Sequence, residues 1–91
     1  MKQLDFDSMV FLEGEAYVAY CPELDVSSCG KDIEEARRNL LTAVRLFAEE
    51  AEKMGTLAQI LDEAGYVPDG KGGFVPPRLV ATESMRVAIG I

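Results

Sequence analysis

There is no histidine in this chain of 91 residues. The side chain most often used for general acid–base catalysis is therefore missing, and with it any Ser-His-Asp or Cys-His arrangement. Cysteine is scarce: Cys21 and Cys29 are the two in the chain. Structural zinc normally takes four Cys or His ligands, so one copy cannot furnish such a site. Two cysteines are also too few for a disulfide framework, and they read as small, partly buried thiols. No basic residue lies near Cys21 in sequence to make its thiol reactive.

Long apolar runs are absent too. None approaches the ~18 residues of a membrane-spanning helix. The opening MKQLDFDSMVFL places acids where a signal peptide needs its apolar core. A cytoplasmic chain with no membrane partner is the expectation. Basic residues are outnumbered, 9 Lys and Arg against 16 Asp and Glu, for a net charge of −7. Nucleic-acid binders usually show a basic patch or stripe, and here the basic residues are scattered. Direct nucleic-acid binding is not expected, whereas a basic protein partner is.

What is present is an ordinary globular mixture, 48% hydrophobic and 27% charged. The length suggests one domain over residues 1–91. A domain of this size buries only roughly 60–65% of its unfolded surface. A second copy would add to that, so a homodimer or higher oligomer is expected.

Residues 2–12 alternate in period two, with Leu4 and Phe6 against Asp5 and Asp7. Glu13-Gly14-Glu15 is a turn candidate, Gly14 being free to take positive φ. Residues 16–21 (AYVAYC) make a second strand, so 2–21 reads as an antiparallel hairpin. Pro22 ends it, because proline cannot donate to the ladder. Residues 24–29 are a candidate third strand. Then the period changes. Asp32 followed by Glu35 is an Asp variant of the capping box. Ile33, Ala36, Leu40, Val44, Phe47 and Ala51, joined by Leu41 and Ala48, follow helical spacing over 32–54. Gly55 stops that helix. Thr56 with Gln59 reads as another box, opening a second helix over 56–65. Asp69-Gly70 and Gly72-Gly73 allow a loose hairpin between Tyr66-Val67 and Phe74-Val75. About residues 83–91, Met85, Val87, Ile89 and Ile91 alternate with Arg86, Ala88 and Gly90, which predicts a final strand. That strand either joins the hairpin's sheet or pairs with another subunit, since a long apolar edge is rarely left open. The order β-β-β-α-α-β, with helices on one face of an antiparallel sheet, is an α+β fold.

The search for chemistry returns little. The glycines of DGKGGF neither follow a suitable strand nor open a helix, so they form a turn, not a phosphate loop. Asp5 and Asp7 share one side of a strand. Paired acids can hold Mg²⁺, but alternating acids on a solvated strand face are far commoner. No metal, no cofactor and no enzymatic activity are expected.

One stretch carries more. Tyr17, Val18 and Ala19 close a strand. Pro22, Glu23 and Leu24 turn a corner, and Gly30 precedes a capped helix with Glu34, Glu35, Ala36, Asn39, Leu40 and Ala43. This set resembles the HicB-like antitoxin domain, over about residues 8–50, with an echo in ILDEAGY at 60–66. The resemblance implies a partial ribonuclease-H-like fold. It also implies a role: binding and neutralising a small basic RNA-cleaving toxin that carries a catalytic histidine. Family members often add a helix-turn-helix or ribbon-helix-helix module, which has no counterpart within residues 1–91, so a short form without a DNA-binding module is expected. Partner contacts are expected at Asp5, Asp7, Glu23 and Asp25, and self-association at Met85, Val87, Ile89 and Ile91. Gly14, Pro22, Gly30, Asp32 and Glu35 are read as structural. The alternative is a stand-alone, self-associating structural or regulatory domain. A metal-dependent nuclease would need several converging carboxylates, and only Asp5 and Asp7 form a local cluster.

Overall fold

In the computed structural model, which describes residues 3–90, Gly14 takes a φ of 64° between β1 (Met9–Glu13) and β2 (Ala16–Cys21). Glu13 lies opposite Ala16, so the turn is two residues long with glycine first. That is the type II′ pattern, whose twist suits a hairpin. Glu13 is thus the last strand residue and not part of the turn. Residues 22–25 then lead to β3 (Val26–Gly30). Asp25 closes this corner at a φ of 56°, a region that Asp enters more readily than most residues. The strands form an antiparallel sheet in the order β1-β2-β3.

Helix α1 (Ile33–Met54) follows at once. Asp32 accepts a hydrogen bond from the Glu35 N–H at 2.7 Å, and the Glu35 carboxylate accepts one from the Lys31 N–H at 2.8 Å. The reciprocal box is formed, its second arm reaching one residue further back than the usual pattern. Replacing Asp32 with Ala should cost ~1 kcal/mol and lower Tm by about 4–8 °C; an unchanged melting curve would contradict the assignment. At the far end, Gly55 sits at a φ of 74°. Gly55 N–H donates to Glu52 O, and Thr56 N–H to Ala51 O, a Schellman closure. The predicted box at Thr56 and Gln59 does not form. The Thr56 hydroxyl donates back to Ala51 O at 3.3 Å and makes no cap bond to α2 (Leu57–Glu63). Thr56 directly follows the Gly55 cap of the first helix, and its hydroxyl serves that end instead.

Two short strands follow, β4 (Val67–Pro68) and β5 (Phe74–Val75), paired antiparallel. The fold is α+β, the described residues forming three antiparallel strands, two helices, then a small two-stranded sheet. The predicted strands differ in places. The third covers Val26–Gly30 rather than 24–29, Asp25 being taken up by the corner. The first starts at Met9 and not near residue 2, and Lys2 lies outside the described residues. Residues 3–8 are tied across the molecule instead, Leu4 bridging to Phe74. Among the described residues, 83–90 form no strand and pair with neither sheet; Ile91 lies outside the described residues.

The core has two parts. Ala19 and Cys21 of β2 meet Ala36, Leu40 and Val44 of α1. Ala51, Leu57, Leu61 and Tyr66 form the second. Helix α1 packs chiefly on β3 and β2 and touches β1 only at its margin. That offset explains why Leu41, at the flank of the predicted apolar stripe, remains exposed, while Ile33 is exposed as the first residue of the helix.

Candidate protein-interaction site

The corner after β2 is held by its own side chains. The Glu23 carboxylate accepts from the Asp7 N–H with both oxygens, at 3.2 and 3.1 Å. The Cys21 thiol donates to the same carboxylate at 3.5 Å. Nearby, the Tyr66 hydroxyl donates to the Asp5 carbonyl at 2.7 Å, across 61 positions of sequence. On the other side of the corner, the Tyr20 hydroxyl donates to Asp25 at 3.0 Å. Of the four acids read as partner contacts, Asp7 and Glu23 are thus brought together and half-buried. Asp5 and Asp25 are exposed. Asp7 and Glu23 line a shallow cleft of about 330 Å³ with Pro22, Pro77 and Arg78. Among the described residues, no group of three or more His, Cys, Asp or Glu is placed to hold a metal ion.

Electrostatics at the corner favour neutral groups. Burial, reinforced by the Glu23 charge, pushes the Cys21 thiol from 9.0 up to about 11. Burial also pushes the Tyr66 hydroxyl up, with Glu23 and Cys21 adding to it. The Tyr20 hydroxyl is raised by its hydrogen bond to Asp25. The folded chain therefore keeps the Cys21 proton after the unfolded chain has lost it. Stability should fall as pH rises from about 9 toward 11 and be independent of this group below that window. Cys29 is exposed and Cys21 buried. At pH 8 a thiol reagent should label one cysteine rapidly and the other only on unfolding; equal labelling of both would contradict the placement.

The sheet's two faces follow from its register. Ala19 and Cys21 point into the core, so Val18 and Tyr20 point away from it. Val18 stands opposite Phe11 and Cys29, and Tyr20 opposite Met9 and Ser27. Paired residues share a face. The uncovered face therefore carries Met9, Phe11, Val18 and Tyr20, with Asp25 at its corner. The alternation in AYVAYC held this face in principle, but which side the helix would cover was not decidable from it. A second open feature lies beside α1: a groove of about 960 Å³ whose walls include Leu4, Phe6, Leu41, Val44, Ala48 and Phe74. It escaped notice because Leu41 and Ala48 read as core in the helical repeat. Tyr66 was missed as a clamp for the opposite reason, lying in a turn-rich stretch with no local pattern.

Beyond residue 79 the chain is exposed throughout to Gly90. Val80 is 82% exposed, Met85 85%, Val87 80% and Ile89 76%. No described helix is long and apolar enough to cross a membrane. Comparison with protein-family models, with curated proteins and with solved structures found no match.

Proposed function

We propose that this chain is a non-enzymatic protein-binding module of the HicB-like antitoxin type, which binds and neutralises a small basic RNA-cleaving protein. The observation that carries the binding role is the balance of apolar surface. Among the described residues nine hydrophobic ones are buried, while thirteen large ones are exposed. Exposed apolar surface gathered into patches marks interaction sites. The partner's character is drawn from two sources: the net charge of −7, and the resemblance of the Tyr17–Ala43 stretch. We assign the partner to the uncovered sheet face, where an apolar centre of Phe11, Val18 and Tyr20 has Asp25 and Glu13 at its margin. That is the usual plan of a non-obligate interface, and the acids would steer a basic partner. Mixing the chain with a purified small basic ribonuclease of this toxin class should give a one-to-one complex and suppress RNA cleavage. Unchanged cleavage with no complex at micromolar concentration would remove the toxin reading.

The second reading is a self-associating domain without a toxin. It is favoured by the exposed, alternating residues 85–89.

A further inference from the structure

We propose that two copies of this chain exchange their C-terminal segments, residues 84–90 of each pairing with the free edge of β1 in the other. The proposal rests on the self-association reading and specifies its site. Two features of the chain are each incomplete. Among the described residues the sheet order leaves β1 bonded on one side only, and β1 reads MVFLE, an apolar edge of the kind proteins seldom leave open. The C-terminal segment alternates apolar and small or polar residues as a strand does, yet no strand among the described residues takes it. The Cα radius of gyration is 15.5 Å, against about 12 Å for a packed chain of this length. The excess fits a segment that stands off its own body.

The groove explains where the apolar face of such a strand would go. Helix α1 lies over β3 and β2 and leaves the β1 side open. The groove is lined by Leu41, Val44 and Ala48 of α1 and by Leu4 and Phe6 of the segment leading into β1. A strand added beside β1 turns alternate residues toward this flank, and Met85, Val87 and Ile89 are spaced to fill it. Charge agrees. Residues 76–91 carry Arg78 and Arg86 against Glu83, net +1, which leaves −8 on the remainder of a chain whose total is −7. Whole bodies repel, while segment and body attract. Area agrees as well. Met85, Val87 and Ile89 are each more than three-quarters exposed; covering them in both copies removes on the order of 800 Å² of apolar surface, and the backbone paired along β1 adds to it, the size of a specific interface.

The test uses the full chain as dimers of mixed isotope labelling, so that contacts between copies are read separately from those within one. The expected result is a dimer in light scattering, with intermolecular nuclear Overhauser effects from residues 84–90 of one copy to residues 9–13 of the other. A dimer whose contacts run between the two C-terminal segments would overturn the exchange and leave self-association standing. A monomer would overturn both. Val87→Asp places a charge at a site that is solvent-exposed in the single chain, so the fold should survive by circular dichroism. The dimer dissociation constant should rise about tenfold or more; an unchanged constant contradicts the proposed seat.

Discussion

Replacing Gly30 with alanine should destabilise the chain by ~3 kcal/mol or more, because there is no room for one methyl group. A Cβ at this position would lie 2.6 Å from the Ala36 nitrogen, 2.8 Å from Glu35 Cβ and 2.9 Å from the Glu35 carbonyl carbon. Two of those atoms are helix backbone, and they belong to the turn that Asp32 caps. Moving them away would break the capping box and lift Ala36, wholly buried, off the sheet. Overpacking of this kind costs typically 1–3 kcal/mol where side chains can yield, and here backbone must. Against a total of roughly 0.05–0.15 kcal/mol per residue, that is a large share of what holds the domain together. Urea unfolding should show a midpoint lowered by about 1 M or more, given slopes of about 1–3 kcal/mol per M. Gly14→Ala is the informative contrast. Nothing lies within 4 Å of its Cβ position, but its φ is +64°. The cost there should be the left-handed penalty alone, about 1–2 kcal/mol. Equal effects at the two sites would show that the helix does not approach β3 as closely as described.

Leu40→Ala should cost about 2–5 kcal/mol, and Leu41→Ala almost nothing in the isolated chain. Leu40 is 1% exposed beneath the sheet, and Leu41 is 60% exposed on the groove wall. Their contrast comes from the helix's 100° step per residue and from its placement over β2 and β3. Removing three carbons from Leu40 leaves a cavity among Ala19, Cys21, Ala36 and Val44, and those small side chains have little reach with which to close it. Thermal unfolding of both variants at low concentration checks the pair. A stable Leu40→Ala variant would contradict the first core cluster. Strong destabilisation by Leu41→Ala at low concentration would show that the groove is already filled within one chain.

The parts of the fold legible in the sequence were those set by short-range chemistry. Gly14, Pro22, Gly30, Asp32 and Glu35 each act within a few residues of their own position, and each sits where its type predicts. The Gly55 stop is equally local. Thr56 misled because its motif was complete on paper, yet α1 ends at Met54 with Gly55 as its cap, and the Thr56 hydroxyl is taken up by the carbonyl of Ala51 in that helix's last turn. Residues 4–7 alternate as a strand should, but the decisive partners of that stretch lie far away: Glu23, Tyr66 and Phe74. No periodicity could announce them. Residues 85–89 carry as clean an alternation as any strand in the chain, and they pair with no strand among the described residues. The pattern reports what the segment is suited to contact, and an intramolecular strand is one of several ways to satisfy it. The acids read as partner contacts divide for the same reason. Glu23 is spent on the Asp7 N–H and the Cys21 thiol, while Asp25 remains at an exposed corner of the sheet.

The measurement that bears most directly on the binding role is affinity capture of the tagged full chain from its native lysate, with the recovered proteins identified and quantified by mass spectrometry. The account predicts one small basic protein containing histidine, at about one-to-one stoichiometry, whose RNA cleavage is suppressed in the complex and whose recovery is lost when Phe11 on the open sheet face is replaced with Asp. Recovery of the chain with nothing but its own copies, by wild type and Phe11→Asp alike, would contradict it.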